Sequence, residues 1–150
     1  MYLADYHIHS TCSFDANNPM AEMSSAAYAR GISEICFTDH CDFDIPDTMQ
    51  VGPDLFEIPE KQRRQFADAL KKAPPDQTLR LGLELGEANH DPERALKIYK
   101  MEGYDFVIGS LHNLLGLEDF YDIKYTSMEQ CHQLYDRYLD ELVELAAIPC

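Results

Sequence analysis

No stretch of this 150-residue sequence is apolar for long enough to span a bilayer as a helix. The N-terminus also lacks the basic, apolar and small-residue succession of a secretory signal, so the chain is expected in the cytoplasm and away from membranes. Basic residues are scarce. Twelve Lys and Arg stand against 27 Asp and Glu, a formal net charge of −15. That balance disfavours nonspecific binding to nucleic acid or to anionic membranes. It also makes an anionic substrate awkward unless local cations offset the charge, a role that bound divalent metals can take. Cysteine is limited to five residues with no CxxC spacing, so neither a disulfide framework nor a thiolate zinc site is indicated. Cys12 and Cys41 lie near candidate metal ligands but read more simply as small, partly buried residues.

What remains is 45% hydrophobic, enough for the core of one domain at this length. Residues 2–9 alternate as a strand. Asn18-Pro19 then places an N-cap before a proline at the first helical position, and Gly31 closes that helix. Residues 33–39 form a short apolar strand, followed over 41–58 by a long loop with Pro46, Gly52 and Pro53. A charged amphipathic helix over 59–72 stops at Pro74-Pro75, and the charges from Glu60 to Arg64 are most simply its solvated face. Leu79 to Leu85 alternate as a third strand, with Leu79, Leu81, Leu83 and Leu85 on one face and Glu84 on the other. Asp91-Pro92 caps a helix to Lys100, and Asp105 to Leu111 is a fourth strand. Thr126 to Glu129 reads as a capping box for a last helix. Its stripe of Cys131, Leu134, Tyr135, Tyr138, Leu139, Leu142, Val143 and Leu145 is expected to pack on something.

The alternation βαβαβαβα predicts an α/β fold with a parallel sheet and right-handed crossovers. Functional groups collect at the C-terminal ends of such strands. Candidate metal ligands lie at each of those ends: His7 and His9, then His40, then Glu84, then His112. In a strand His7 and His9 point the same way, so two imidazoles stand side by side. Three or more histidines near a carboxylate suit zinc, manganese or iron(II) rather than calcium or magnesium. Two such ions polarise a phosphoryl group and generate a hydroxide nucleophile, while a single zinc serves amide or amine hydrolysis; residue types alone leave both open. Four βα units leave sheet edges open, so a second copy or a partner chain is expected to cover them.

The segments DYHIHS at 5–10, FTDHCDF at 37–43, LGLELGE at 81–87 and FVIGSLHN at 106–113 resemble the PHP superfamily, specifically its monofunctional histidinol-phosphatase branch. The resemblance runs through residues 1–150 as one PHP domain and implies a partial distorted (βα)7 TIM-like barrel with about four βα units present. It implies a metal-dependent phosphomonoesterase that hydrolyses L-histidinol phosphate in histidine biosynthesis, with two or three divalent ions of zinc, manganese or iron. Carried over by motif, His7 and His9 bind one ion, Glu84 bridges it to a second held by His112, and His40 binds the third. Glu84, His40 and His112 become the catalytic set. Asp15 falls where relatives place another ligand, and its other reading is an Asx-turn residue. Asp39 and Asp42 either orient ligand histidines or cap loop amides. The family pattern continues with strands and a late Asp-x-His pair that this sequence does not contain, so the chain is expected to be the N-terminal part of the family fold. Rival readings are a PHP phosphoesterase or nuclease acting on nucleotides, and a catalytically inactive partial barrel that binds metal or a partner chain. His90 and His132 read as structural histidines, and Glu87 as a solvent-facing acid.

Overall fold

A computed structural model describes residues 2–43 and 57–149. Its elements are β1 (Ala4–Ile8), α1 (Met20–Ala29), β2 (Glu34–Asp42), α2 (Glu57–Lys72), β3 (Thr78–Gly86), α3 (Pro92–Tyr99), β4 (Phe106–Ser110) and α4 (Met128–Ala146). The strands form one sheet in the order β1-β2-β3-β4. β1 pairs parallel with β2. Thr78 N donates to Ser33 O at the start of β3, and Phe43 N donates to Gly86 O past its end, so β2 and β3 also run the same way. Strand order that follows chain order without reversal is the βα-barrel type, in contrast to doubly wound sheets, whose order reverses. The predicted α/β class and its four βα units are therefore present.

Several boundaries differ from those predicted. Pro19 is the N-cap of α1 rather than its first helical residue, and Asn18 donates to the Glu22 carboxylate at 2.9 Å instead of capping the backbone. β2 continues to Asp42, which places His40 and Asp42 within the strand. Helix α2 starts at Glu57, earlier than the prolines suggest, because proline is tolerated in a first helical turn. The rest of the predicted 41–58 loop, residues 44–56, lies outside the described residues.

The chain packs as two compact units; among the described residues the first holds 2–41, 57–84 and 101–108. Its core gathers Ile8, Cys12, Met20, Ala27, Ile35, Phe37, Ala69 and Leu81, with Phe66 set edge-on to Phe37 at 6.4 Å. Helices α1 and α2 pack on each other. The Ser24 hydroxyl and carbonyl both bond to buried Gln77, so the polar atoms beneath α1 are satisfied rather than stranded. At the start of the strands, the buried Glu34 carboxylate accepts from the Tyr2 and Tyr6 hydroxyls and from Arg80. Gly82 is required by close approach: a Cβ there would lie 2.6 Å from Phe106 O and 2.8 Å from Cys36 Sγ.

The second unit holds 42–43, 85–100 and 109–149. Asp91 caps α3 as predicted, accepting from Arg94 N at 3.1 Å. The cap of α4 is shifted by one residue. Ser127, not Thr126, accepts from Gln130 N at 3.1 Å, and Gln130 Oε1 turns back to take the Thr126 amide at 2.7 Å. Gln130 thus replaces Glu129 in the box. The predicted packing stripe of α4 is largely exposed: Leu145 is buried, but Tyr135 and Val143 are 59% and 70% exposed. A helix period shows only that apolar residues share a side; here Leu145 packs over Gly109 and Tyr138 meets Phe120 edge-on at 5.8 Å, while Tyr135, Leu139, Leu142 and Val143 are exposed. Helix α4 is also fastened by polar contacts, with Glu141 at 2.8 Å from His90 Nε2 and accepting from Leu115 N at 3.2 Å. His132 is exposed, in keeping with a surface histidine.

Candidate metal centre

In the first unit, the ends of β1, β2 and β3 bring five predicted residues together. His7 and His9 have ring centroids 5.0 Å apart, and both rings face Glu84. Glu84 Oε2 lies 3.1 Å from His7 Nε2, 2.9 Å from His9 Nε2 and 3.5 Å from His40 Nδ1. Asp15 Oδ2 sits 2.8 Å from His9 Nδ1 and 3.6 Å from His40 Nε2. The strand parity that set Glu84 apart from Leu83 and Leu85 aims its carboxylate at the imidazoles, although both faces of β3 are buried there. Beside this cluster, His7, His9, Asp15, Met23 and Arg30 line a cavity of about 610 Å³.

The Glu84 carboxylate on Nε2, reinforced by Asp15 on Nδ1, pushes the His9 imidazole up to about 9 against the opposing effect of burial. Without a cation, the proton on His9 is shared with the Glu84 and Asp15 carboxylates on either side of its ring. The ligand atoms of His7, His9 and Glu84 lie within 4.8 Å of one another, as do those of His9, Asp15 and His40. His7 Nε2 and His9 Nε2 lie 3.1 and 2.9 Å from Glu84 Oε2, near the roughly 3.3–3.6 Å between donors around a tetrahedral ion with bonds of about 2.0–2.2 Å, so the donor set fits a divalent transition metal.

Asp39 is fully buried and holds the scaffold under these ligands. Its carboxylate accepts from Ser10 N at 2.6 Å, Ser10 Oγ at 3.0 Å, Ser13 Oγ at 2.9 Å and Gln62 Nε2 at 3.3 Å. Ser13 Oγ in turn takes the His40 amide at 2.9 Å. Asp39 thus ties the segment after His9 to the strand carrying His40 through backbone and hydroxyl groups. This is the amide-capping reading, and it positions the histidines through the chain on either side of them. Two glutamines of α2 were not legible as part of this scaffold. Gln62 sits among the solvated charges of residues 60–64 yet is fully buried, bonded to Asp39 and to the Tyr104 hydroxyl at 3.0 Å. Gln65 donates to Thr11 Oγ1 at 2.9 Å. The available signal was their helical spacing from apolar Phe66 and Ala69.

In the second unit, His112 and Asp42 gather around Glu87. Glu87 is 1% exposed, which overturns its reading as a solvent-facing acid. Its φ of 53° turns the chain just past β3, its amide donates to Ser110 O at 2.9 Å, and its carboxylate accepts from the His112 amide. His112 Nδ1 lies 3.5 Å from Glu87 Oε1 and 3.7 Å from Asp42 Oδ1. Burial pushes the Glu87 carboxyl up to about 7. Gly86 leaves room for the Asp42 carboxylate, since a Cβ there would lie 2.3 Å from Asp42 Oδ1. Position alone could have flagged Glu87: an acid directly after a strand end occupies the place where parallel sheets collect function.

Parallel strands in sequential order with imidazoles and carboxylates at their C-terminal ends define an α/β, βα-barrel-type scaffold equipped for divalent metal. The chain belongs to the PHP domain family, whose model matches residues 5–150. It is 31% identical over 116 residues to a histidinol-phosphatase of Lactococcus lactis subsp. lactis, covering 76% of this chain and 40% of that protein. It is 30% identical over 153 residues to a probable histidinol-phosphatase of Deinococcus radiodurans, covering 97% of this chain and 56% of that one. The chain therefore spans about half the length of these relatives. A crystal structure of histidinol phosphate phosphatase from Lactococcus lactis subsp. lactis, complexed with zinc, L-histidinol and phosphate, superposes with a TM-score of 0.67 at 26% identity. That match covers 92% of this chain and 52% of the other. Among the described residues no helix is long and apolar enough to cross a membrane.

Proposed function

We propose that this chain carries the metal-binding half of a phosphomonoesterase that hydrolyses L-histidinol phosphate to L-histidinol and phosphate. The observation that carries the reading is the convergence of three imidazoles on Glu84 Oε2, within 3.5 Å, in a chain of the PHP family. His7, His9, Asp15, His40 and Glu84 are the proposed ligands, and His112 is a proposed further ligand carried by the second unit. Divalent ions, when bound, offset the charge of a phosphate and make water nucleophilic near neutral pH. The residues of the chain do the rest. Glu84 draws His7, His9 and His40 onto one oxygen and so sets the spacing of the donors. Asp15 holds the His9 ring through Nδ1, which aims Nε2 at the site. The Asp39 network keeps both histidine-bearing segments in register before anything binds. Zinc is favoured by the ion in the solved relative, with manganese and iron(II) accepted by the same donors. A place in histidine biosynthesis and in the cytoplasm follows from the same reading.

The test is elemental analysis of the purified chain combined with phosphate release from L-histidinol phosphate in the same sample. Bound transition metal with turnover supports the reading. Metal without turnover assigns a binding role to these residues alone, and absence of metal at saturating zinc overturns the proposed ligand set.

A further inference from the structure

Phe14 is 70% exposed, yet it is not an isolated surface hydrophobe. Its ring stacks on His40 with centroids 4.9 Å apart and planes 27° from parallel, and His40 meets His9 in turn at 4.5 Å. One face of Phe14 is therefore covered by a proposed ligand, and the rest of the ring is open to solvent beside Asp15. The neighbouring groups of the cluster, His7, His9, Asp15, His40 and Glu84, are imidazoles and carboxylates. The exposed apolar plane of Phe14 is thus one ring, 4.9 Å, removed from a proposed ligand of the cluster.

We propose that Phe14 is a specificity-determining residue whose open face receives the planar ring of the substrate, resting on the L-histidinol phosphate reading given above. Stacked aromatic pairs contribute modestly but depend on geometry, so such a wall selects ring-bearing phosphate esters over ringless ones of the same charge.

The sequence contains no tryptophan, so Phe14→Trp introduces a single indole reporter at this position. The zinc-loaded variant is titrated with L-histidinol and, separately, with L-alaninol, each with inorganic phosphate present so that no turnover occurs. A saturable change in indole emission with L-histidinol and little or none with L-alaninol is the expected result. Equal responses to both amino alcohols, or no response to either, overturn the proposal. In parallel, Phe14→Ala is expected to lower the ratio of kcat/KM for L-histidinol phosphate over L-alaninol phosphate by about three- to tenfold. An unchanged ratio with both rates reduced assigns Phe14 to packing against His40 instead. Emission that discriminates in a chain without phosphatase activity leaves the ring contact standing and removes the hydrolysis reading; turnover without discrimination does the reverse.

Discussion

His9 Nε2 stands 2.9 Å from Glu84 Oε2, and that carboxylate is why the imidazole holds a proton at neutral pH. His9 is raised to about 9, so at pH 7 it is protonated and cannot ligate a cation until the proton leaves. Zinc binding at pH 7 should therefore expel about one proton from this group. The release from His9 should fade as pH rises through about 9. Calorimetric titration in buffers of different ionisation heat reads the count directly. Zinc binding at pH 7 without proton release would show that the metal displaces no proton from His9.

Glu84 is the shared partner of three imidazoles. Glu84→Gln keeps the shape and removes the charge, so zinc affinity should fall by about 100-fold or more, beyond what loss of an outer partner costs. Equilibrium dialysis against zinc, with circular dichroism to confirm the fold, is the measurement. Unaltered affinity would take Glu84 out of the ligand set.

Asp39 and Asp15 should behave oppositely on truncation. Asp39→Ala strands several buried donors and should cost about 3 kcal/mol or more of stability. Asp15 is exposed, and Asp15→Ala should change stability by under about 1 kcal/mol. Urea unfolding of the metal-free variants separates them, and similar small losses would show that the Asp39 network is not holding the two segments.

Gly82→Ala should destabilise the chain by about 1–3 kcal/mol, because the new methyl meets the Phe106 carbonyl at 2.6 Å and Cys36 Sγ at 2.8 Å. The carbonyl belongs to backbone and cannot swing aside. A Gly82→Ala variant as stable as the parent in urea would mean that β3 can shift away from its neighbours at no cost.

Glu34 links stability to acid pH. The Tyr2 and Tyr6 hydroxyls, then Arg80, hold its carboxyl down at about 2, below the ordinary carboxylate range near 4.5. Its contribution is thus present above about 4.5 and lost as pH falls towards 2, where the unfolded chain binds the proton first. Glu34→Gln should flatten the stability profile across that window. Urea midpoints at several acid pH values test it, and parallel profiles for parent and variant would count against the assignment.

Local chemistry and chain order carried much of this protein. Asp91-Pro92 named the start of α3, the parity of Leu83, Glu84 and Leu85 aimed a carboxylate, and alternation of strands with helices set the α/β class. These are decided within a few residues or by the period of an element, which a sequence states directly. Some neighbours in sequence competed for one role, as Thr126 and Ser127 did for the α4 cap, and only the backbone conformation chose between them. Burial was the larger gap. Gln62 lies among charges and is buried, Glu87 is an acid beneath His112, and Tyr135 and Val143 lie on an apolar stripe yet meet solvent. Each outcome depends on what another part of the chain places opposite the residue, and that is a property of tertiary packing rather than of residue type.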